Sequence, residues 1–376
     1  MDTEQAAFRI DEEQVDYLSE WMQKVSRSFA LVVPFVEEPL THYLATAYLL
    51  CRVADNIEDC TQPLAWKQAR FAELSAMLDD PRKSEPLLSS WTDREWPGLT
   101  DDEQAIMQPE HGAALWDIYA NIPRPSRDIV RRWVQAMAGG MATLGDTGGQ
   151  PQFVSREGIQ ILGDEADYNG YCYIVAGTVG YMSTELVIEH YGVGAEAAGR
   201  LRATAEACGR GLQKTNIVKD FTKDLARGIC YLPESWMQAA AYAPLALEGA
   251  PGAWSQHVIG NVLDELGDAT TYLIALPYAA EGYRMASLLC LLPAYETLLL
   301  AAQKGHDLFT AQHQVKISRQ TMGQCLEDGQ RLLHDNDAIA AYSQDMDARI
   351  RDILRKRVGT ETTFGANGSD RSNGYR

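Results

Sequence analysis

The chain has 376 residues, of which 46% are hydrophobic and 23% are charged, proportions that are ordinary for a globular protein. Its net charge of -19 and its pI near 4.8 argue against a nucleic-acid-binding protein and against polybasic attachment to anionic lipid, because both require a basic face. The seven cysteines include no CxxC pair, which makes a disulfide framework or a zinc site unexpected and fits a reducing cytoplasm.

Hydrophobic periodicity predicts a series of helices in the first half of the chain. They cover residues 11–25, 30–36, 37–59, 63–78, 101–119 and 127–141. Between residues 79 and 102, prolines, serines, acidic residues and tryptophans alternate without a period, which predicts a long surface loop. The first 16 residues are acidic and carry no apolar run, so no signal peptide is expected.

The second half of the chain is also predicted to be helical, over residues 163–190, 195–223, 261–278, 283–303, 324–343 and 345–358. The most apolar window, 285–302, is interrupted by Ser287, Pro293 and Glu296, so a buried helix is predicted there rather than a membrane span. Strand signals are scarce, which predicts an all-α single domain over residues 1–358. The polar segment 359–376 is predicted to be a disordered tail.

The stretch 213–224 carries a pattern typical of a metal site. Asn216, Asp220 and Asp224 are four residues apart, so on a helix each is rotated by only about 40° from the one before, and the three form a polar stripe. Asp55 and Asp59 have the same spacing on another predicted helix. Magnesium prefers oxygen ligands and is commonly held by one or two carboxylates together with substrate phosphates. Either stripe alone is more simply a solvated helix face, but the two together predict a diphosphate-handling site.

Basic and aromatic side chains near these stripes fit the same chemistry. Arg52 and Lys219 lie within one turn of the acids and can take phosphate oxygens that a metal leaves free. Tyr48 shares a helix face with Asp55, and Tyr171 lies near several small residues. A phenol can transfer a proton, and an aromatic ring can stabilise a cation. Taken singly, each tyrosine is more simply a core residue with a satisfied hydroxyl.

Two further groups of residues offer partners for phosphate. The first group is Ser26, Arg27, Ser28 and Phe29. Its hydroxyls and guanidinium stand at a break between helices, where backbone N–H groups also attract anions, although on local grounds alone a plain N-cap with a surface arginine is the simpler explanation. The second group is Lys316 and Arg319, for which a solvent-exposed basic pair is the commoner explanation.

Four segments resemble the squalene/phytoene synthase family, and the resemblance covers roughly residues 25–322. The segments are residues 26–29, 55–59, 171–177 and 213–220. The run from Gln213 to Asn216 is closer to the squalene synthases of that family than to its phytoene synthases, as are residues 290–298 and 315–317. The resemblance implies an all-α isoprenoid synthase fold, a helical bundle around a central cavity.

The resemblance also implies an activity. Two farnesyl diphosphates would be joined head to head through presqualene diphosphate, a cyclopropyl intermediate, and the product would then be reduced by NADPH to squalene, with Mg2+ as the metal. We expect a cytoplasmic monomer without a transmembrane segment, whose contact with a membrane is confined to product release.

Roles follow residue by residue from the matched segments. The implied magnesium ligands are Asp55, Asp59, Asp220 and Asp224, with Asn216 beside them. The implied diphosphate-binding residues are Ser26, Arg27, Ser28, Phe29, Arg52, Gln213 and Lys219. Tyr171, supported by Tyr48, would act on the proton lost as the cyclopropane closes. The residues toward the cofactor phosphates would be Asn216, Lys316 and Arg319.

Two departures from the squalene synthase pattern keep alternatives open. Residues 227–233 are closer to the phytoene synthase pattern, and Ser318 stands where a second base is expected after Lys316. The nearest alternative is therefore a dehydrosqualene- or phytoene-type synthase, or a presqualene diphosphate synthase, without the reductive step. An alternative from another class is a catalytically inactive helical scaffold that has kept the fold.

Overall fold

A computed structural model describes residues 10–26, 29–144, 151–240, 251–304 and 315–368. The chain forms two compact units. Unit 1 comprises the described parts of 1–149, 174–206 and 275–287, and unit 2 those of 150–173, 207–274 and 288–376. The single domain predicted over residues 1–358 stays a prediction.

The regular structure described in unit 1 is helical. Its α-helices are α1 (Glu12–Val25), α2 (Phe29–Val32), α3 (Leu40–Asp59), α4 (Leu64–Asp79), α5 (Ser84–Thr92), α6 (Asp101–Ala105), α7 (Pro109–Asn121), α8 (Arg124–Met141) and α10 (Thr178–Tyr191), with 3-10 turns at Val33–Phe35 and Pro81–Lys83. Helix α3 packs against α1, α7 and α8. It buries Leu49, Leu50, Val53, Ala54 and Ile57, whose helical spacing places them on one face, while Arg52, Asp55 and Asp59 are partly exposed.

Glu37, just before α3, connects two other parts of unit 1. Its carboxylate accepts a hydrogen bond from Gly282 N at 2.8 Å and one from the Tyr191 hydroxyl. Burial acts to raise the pKa of Glu37, but these two hydrogen bonds, a third from its own backbone N–H and the nearby His190 together outweigh it and hold the pKa below its ordinary value. A carboxyl group whose pKa is lowered by folding stabilises the protein above its unfolded-state pKa, and this stability is lost as the pH falls through the folded-state pKa.

Glu37→Gln is therefore expected to lower the free energy of unfolding by about 1 kcal/mol at pH 7, because it removes charge-assisted hydrogen bonds in a partly exposed place. The difference from the wild type should shrink as the pH falls below about 4. Urea unfolding at a series of pH values measures it, with Glu38→Gln as the control, since the Glu38 side chain is 76% exposed. A difference that stays constant down to acid pH would contradict this assignment.

Unit 2 combines helices with a small sheet. Its elements are β1 (Phe153–Arg156), β2 (Ile159–Leu162), α9 (Glu165–Cys172), β3 (Ile229–Cys230), α12 (Glu234–Ala239), α13 (Gly252–Ala275), α15 (Arg319–Leu332) and α16 (Asn336–Gly368). Strand β1 pairs with β2 in antiparallel orientation, and β2 pairs with β3 in parallel. These strands of two to four residues are too short to show an alternating pattern, which explains why the sequence did not predict them.

Some helical stretches contain residues of both units. They are the π-helical turn Tyr173–Gly177, α11 (Ala195–Ala226) and α14 (Glu281–Lys304). The single helix predicted over 163–190 is wrong in detail. Strand β2 ends at Leu162, helix α9 begins at Glu165, and the π turn separates α9 from α10. A π turn inserts a residue into the helical repeat, and such turns are often found at functional sites. Here it follows directly after Tyr171 and Cys172.

Three other boundaries differ from the predictions. The predicted loop 79–102 contains helix α5, which buries Leu88 and Trp91 but is too short for a clear period. Helix α13 begins at Gly252 rather than near 261. The predicted helix 324–343 is divided between α15 and α16, where the Asp335 carboxylate accepts a hydrogen bond from Ala338 N at 2.9 Å. Helix α16 then passes through the predicted break near residue 344.

The segment predicted as a disordered tail begins inside this last helix. Helix α16 extends to Gly368, and residues 359–368 contain no proline that would end it. Residues 369–376 lie outside the described part of the chain.

Helix α14 is the apolar helix that the sequence predicted to be buried. By length and composition it is the one described helix that could cross a membrane, with a mean hydropathy of 1.7 over its most apolar window. That window is 72% buried within the structure, as in the core helix of a globular protein. Pro293 lies inside the helix, and the Thr297 hydroxyl donates to the Pro293 carbonyl at 2.7 Å.

Candidate functional site

In unit 1, helix α3 presents a charged group that we name the α3 stripe: Arg52, Asp55 and Asp59. The Arg52 guanidinium lies 3.7 Å from an Asp55 carboxylate oxygen and 3.9 Å from one of Asp59. The carboxylate-bearing side chains are each 32% exposed, and that of Arg52 is 20% exposed. The sequence-predicted residues on this helix are therefore brought together on one accessible face.

The electrostatics of the α3 stripe favour an added positive charge. Burial raises the pKa of Asp55 to about 8; the nearby Arg52 opposes this rise, while Asp59, Glu58 and Glu103 add to it. The Nε atom of Arg52 is buried and has no hydrogen-bond partner among the described residues. The stripe thus has two carboxyl groups against the single positive charge of Arg52.

Glu103, on α6, is a member of this cluster that the sequence analysis missed. Its carboxylate pairs with Arg52 and accepts a hydrogen bond from Thr100 N at 2.9 Å. Its backbone carbonyl accepts a hydrogen bond from Asn56 Nδ2 at 2.8 Å. The capping-box pattern from Thr100 to Glu103 was visible in the sequence and marks the start of a helix. No local signal, however, links it to an arginine 51 positions earlier.

The predicted anion cradle is only partly described. Ser26 is buried at the end of α1, where its hydroxyl accepts a hydrogen bond from Phe29 N at 3.1 Å. The Phe29 ring lies 5.2 Å from the Tyr48 ring, and Ser26 also hydrogen-bonds the Tyr48 hydroxyl. Burial is the main cause that raises the pKa of Tyr48. These contacts join the cradle to α3, one turn before Arg52, whereas Arg27 and Ser28 lie outside the described residues.

In unit 2, helix α11 carries the second group, which we name the α11 stripe: Asn216, Lys219, Asp220 and Asp224. The Lys219 ammonium donates to Asn216 Oδ1 at 2.9 Å and lies 3.4 Å from an Asp220 carboxylate oxygen. Asn216 is exposed and the other three are partly exposed, so the stripe is accessible. Gln213, also partly exposed, lies one turn before Asn216 on the same helix.

Tyr171, at the end of α9, is part of an aromatic cluster in unit 2. Its ring stacks on Tyr231 at 4.5 Å between centroids and meets the edge of Phe153 at 6.5 Å. Tyr171 is only 6% exposed, whereas Tyr173, two residues later, is 36% exposed. The sheet explains the cluster, because Phe153 begins β1 and Tyr231 follows β3. Sequence reasoning did not single out Phe153 or Tyr231, since their proximity depends on strand pairing.

Lys316 and Arg319 are both exposed, on either side of Ser318. Ser318 is the N-cap of α15, and its hydroxyl accepts a hydrogen bond from Thr321 N at 3.0 Å. This capping role accounts for a serine where a second base was expected.

The donor set of the two stripes fits magnesium. The side chains offer oxygen ligands, which a hard cation such as Mg2+ prefers. Over the residues that the structure describes, no group of three or more His, Cys, Asp or Glu converges into a complete metal centre. A magnesium ion held here would therefore take its other ligands from water and substrate phosphates, as this ion commonly does.

The sequence profile of the squalene/phytoene synthase family matches residues 22–321 of this chain. Among curated relatives, the squalene synthase of Ganoderma lucidum is 26% identical over 80% of this chain and 63% of its own length. The bifunctional lycopene cyclase/phytoene synthase of Arthroderma gypseum is 28% identical over 59% of this chain and 35% of its own length. The chain thus spans from about a third to just under two thirds of the length of these relatives.

Solved structures show the same fold. The complex of TcSQS with the ligand BPH1237 superposes with a TM-score of 0.67 at 21% identity, covering 92% of this chain and all of that one. A dehydrosqualene synthase in complex with a ligand superposes with a TM-score of 0.59 at 20% identity, covering 86% of this chain and 97% of that one. The all-α isoprenoid synthase fold predicted from the sequence is confirmed.

Proposed function

The chain belongs to the squalene/phytoene synthase family, and from that premise we propose that it is a squalene synthase. It joins two farnesyl diphosphates head to head through presqualene diphosphate and reduces the product with NADPH to squalene. The observation that carries this proposal is the α3 stripe, in which a partly exposed arginine lies among carboxylates, as diphosphate bound with a divalent cation requires.

We assign to each of the two stripes a part in the release of diphosphate. Arg52 and Lys219 supply donors for the phosphate oxygens, and Ser26 and Gln213 supply further polar groups. The carboxylates of Asp55 and Asp59 on α3, and those of Asp220 and Asp224 with the Asn216 amide on α11, would hold Mg2+. Bound Mg2+ supplies the positive charge that lets diphosphate depart. Because Glu103 pairs with Arg52, substrate phosphate has to share or replace that contact.

The aromatic residues serve the carbon chemistry. Loss of diphosphate leaves an allylic cation, which has to be kept from water and can be stabilised by aromatic faces. Tyr171, stacked on Tyr231, supplies both a ring and a hydroxyl. We assign to its hydroxyl the relay of the proton that leaves as the cyclopropane closes: the phenol oxygen accepts this proton while its own proton passes to the released diphosphate, with Tyr48 in support.

The reductive step requires a site for NADPH. Lys316 and Arg319 are exposed bases that can pair with the cofactor phosphates, and Asn216 adds an amide. We place the enzyme in the cytoplasm as a monomer, with membrane contact confined to product release. All seven cysteines are free thiols, which fits a reducing compartment.

Identification of the product tests the proposal. Purified protein is incubated with farnesyl diphosphate and Mg2+, with and without NADPH, and the products are identified by mass spectrometry. Squalene formed only with NADPH is the expected result. The same product with and without NADPH would remove the reductive step, and no condensed product under either condition would point to an inactive scaffold.

A second candidate function keeps the condensation without the reduction. It is favoured by residues 227–233, which follow the phytoene synthase pattern, and by the similarity to a phytoene synthase-containing protein of Arthroderma gypseum. A parallel incubation with geranylgeranyl diphosphate separates the phytoene-type activity from the others, because it predicts a longer condensed product.

A further inference from the structure

A network of charged and polar groups, buried at Lys214 and Glu265 and exposed at Glu165, connects three helices through their residues in unit 2: α9, α11 and α13. The Lys214 side chain, on α11, is fully buried. Its ammonium donates to a Glu265 carboxylate oxygen at 2.7 Å and to Asn261 Oδ1 at 2.7 Å, both on α13. Arg210, one turn before Lys214, also pairs with Glu265 at 3.0 Å.

The same network reaches helix α9, which carries Tyr171. The Lys214 ammonium lies 4.9 Å from the ring centroid of Tyr168, three residues before Tyr171. Asn261 Nδ2 donates to Glu165 Oε1 at 3.2 Å, at the start of α9. Asn261 therefore bridges α11 and α9 with its two amide atoms.

Close backbone packing leaves this network little freedom. A Cβ atom added at Gly211 would lie 3.1 Å from Leu266 Cδ2 and 3.4 Å from Glu265 Cβ. Helices α11 and α13 thus approach each other directly beside Glu265. Since an interior this dense resists small shifts, the side chains of the network fix how α11 is rotated.

Lys214 does not point toward the predicted ligands. It is two positions before Asn216, or about 200° around the helix, and six before Asp220, or about 120° around it, so it does not share the face of these two residues. Stability alone does not require it there, because replacing a buried ion pair by apolar side chains of similar volume is often neutral or stabilising. A role in positioning helices α11 and α9 accounts better for a fully buried lysine within the run from Gln213 to Asn216.

We propose that Lys214, acting with Glu265 and Asn261, is a positioning residue that holds the α11 stripe in register with Tyr171. It touches neither substrate nor metal. Through Glu265 and Asn261 it sets the rotation of α11, and through Tyr168 and the Asn261–Glu165 hydrogen bond it sets the placement of α9. The consequence for catalysis rests on the proposed function, whereas the structural coupling of the helices does not.

The coupling is tested by hydrogen exchange measured by mass spectrometry on the full-length protein. Lys214→Met and Asn261→Leu each remove part of the network. Asp264→Asn is the matched control, since it removes a 73% exposed carboxylate from the neighbouring position of α13. Peptides covering residues 165–177 and 213–224 are expected to exchange about tenfold faster in both variants and unchanged in the control.

Unchanged exchange in residues 165–177 would overturn the proposal, whatever the activity of the protein. If Lys214→Met fails to fold because it leaves Glu265 short of a partner, Asn261→Leu decides the matter, because it keeps the ion pair and cuts only the bridge.

The catalytic consequence is read as the ratio of diphosphate released to condensed hydrocarbon formed. This ratio does not depend on how much of the protein is active, so a variant that only reduces the amount of folded protein leaves the ratio constant. With Tyr171 out of register, more of the allylic cation is captured by water, and the ratio is expected to rise about tenfold in Lys214→Met and Asn261→Leu.

The double variant Lys214→Met/Glu265→Leu completes the test. Replacing both charges is expected to recover part of the thermal stability, because Arg210 loses its partner Glu265 but, with a side chain 24% exposed, keeps access to water, while the ratio stays raised. Recovery of a wild-type ratio together with stability would show that the network serves stability alone and would overturn the proposal. A wild-type protein that forms no condensed product would contradict the proposed function instead, and the exchange result would still decide the coupling.

Discussion

Asp220→Asn is expected to lower magnesium-dependent turnover by about three orders of magnitude while leaving the fold intact. The substitution keeps the size of the side chain but removes a negative charge that holds the metal, and with it much of the charge stabilisation of the departing diphosphate. The side chain is 33% exposed and its pairing with Lys219 spans 3.4 Å, so the loss of stability should be under about 1 kcal/mol.

The measurement is diphosphate release at a series of Mg2+ concentrations, alongside thermal unfolding. Glu196→Gln is a control on the same helix, because its side chain is 92% exposed and pairs with Arg200, which is itself 58% exposed. Unaltered turnover with an unaltered magnesium dependence would exclude Asp220 as a ligand.

Tyr171→Phe is expected to reduce formation of the condensed product by a factor of about 10² to 10⁴, the range that a positioned proton-transfer group contributes. The variant retains the ring that stacks on Tyr231 at 4.5 Å, so the aromatic cluster should persist. Binding of inorganic pyrophosphate with Mg2+ should remain close to that of the wild type, because Tyr171 is not among the predicted diphosphate ligands.

Product analysis and pyrophosphate binding by calorimetry together measure this effect. Tyr173→Phe is the matched control: it removes a hydroxyl two residues away, from a side chain that is 36% exposed. A Tyr171→Phe protein with full activity would remove this hydroxyl from the mechanism.

The pairing of Arg52 with Glu103 changes how the α3 stripe is understood. From the sequence, Arg52 is a residue ready for phosphate, but in the structure a carboxylate from α6 already holds its guanidinium. That carboxylate also accepts from the backbone and the hydroxyl of Thr100, both at 2.9 Å. Glu103 is thus fixed in place at the start of α6, and it orients Arg52 beside Asp55 and Asp59.

The local sequence pattern was sufficient to predict which candidate site residues share a face, where this depends on their spacing within one helix. Asp55 and Asp59 share a face of α3, and Asn216 and Asp220 share a face of α11, because a four-residue interval nearly completes a helical turn. The all-α class followed from the same periodicity. The sequence prediction was wrong where elements are short, as at α5 and the three strands, since a few residues do not display a period.

By itself, then, the amino-acid sequence determined the helical class, the family and the two acidic stripes, all of which are local in the chain. Tertiary structure alone decided that Glu103 holds Arg52, that Tyr231 and Phe153 enclose Tyr171, and that Lys214 is buried against Glu265. Each of these contacts joins residues separated by 18 to 60 positions. Their proximity arises from the packing of elements, and periodicity within one element carries no information about it.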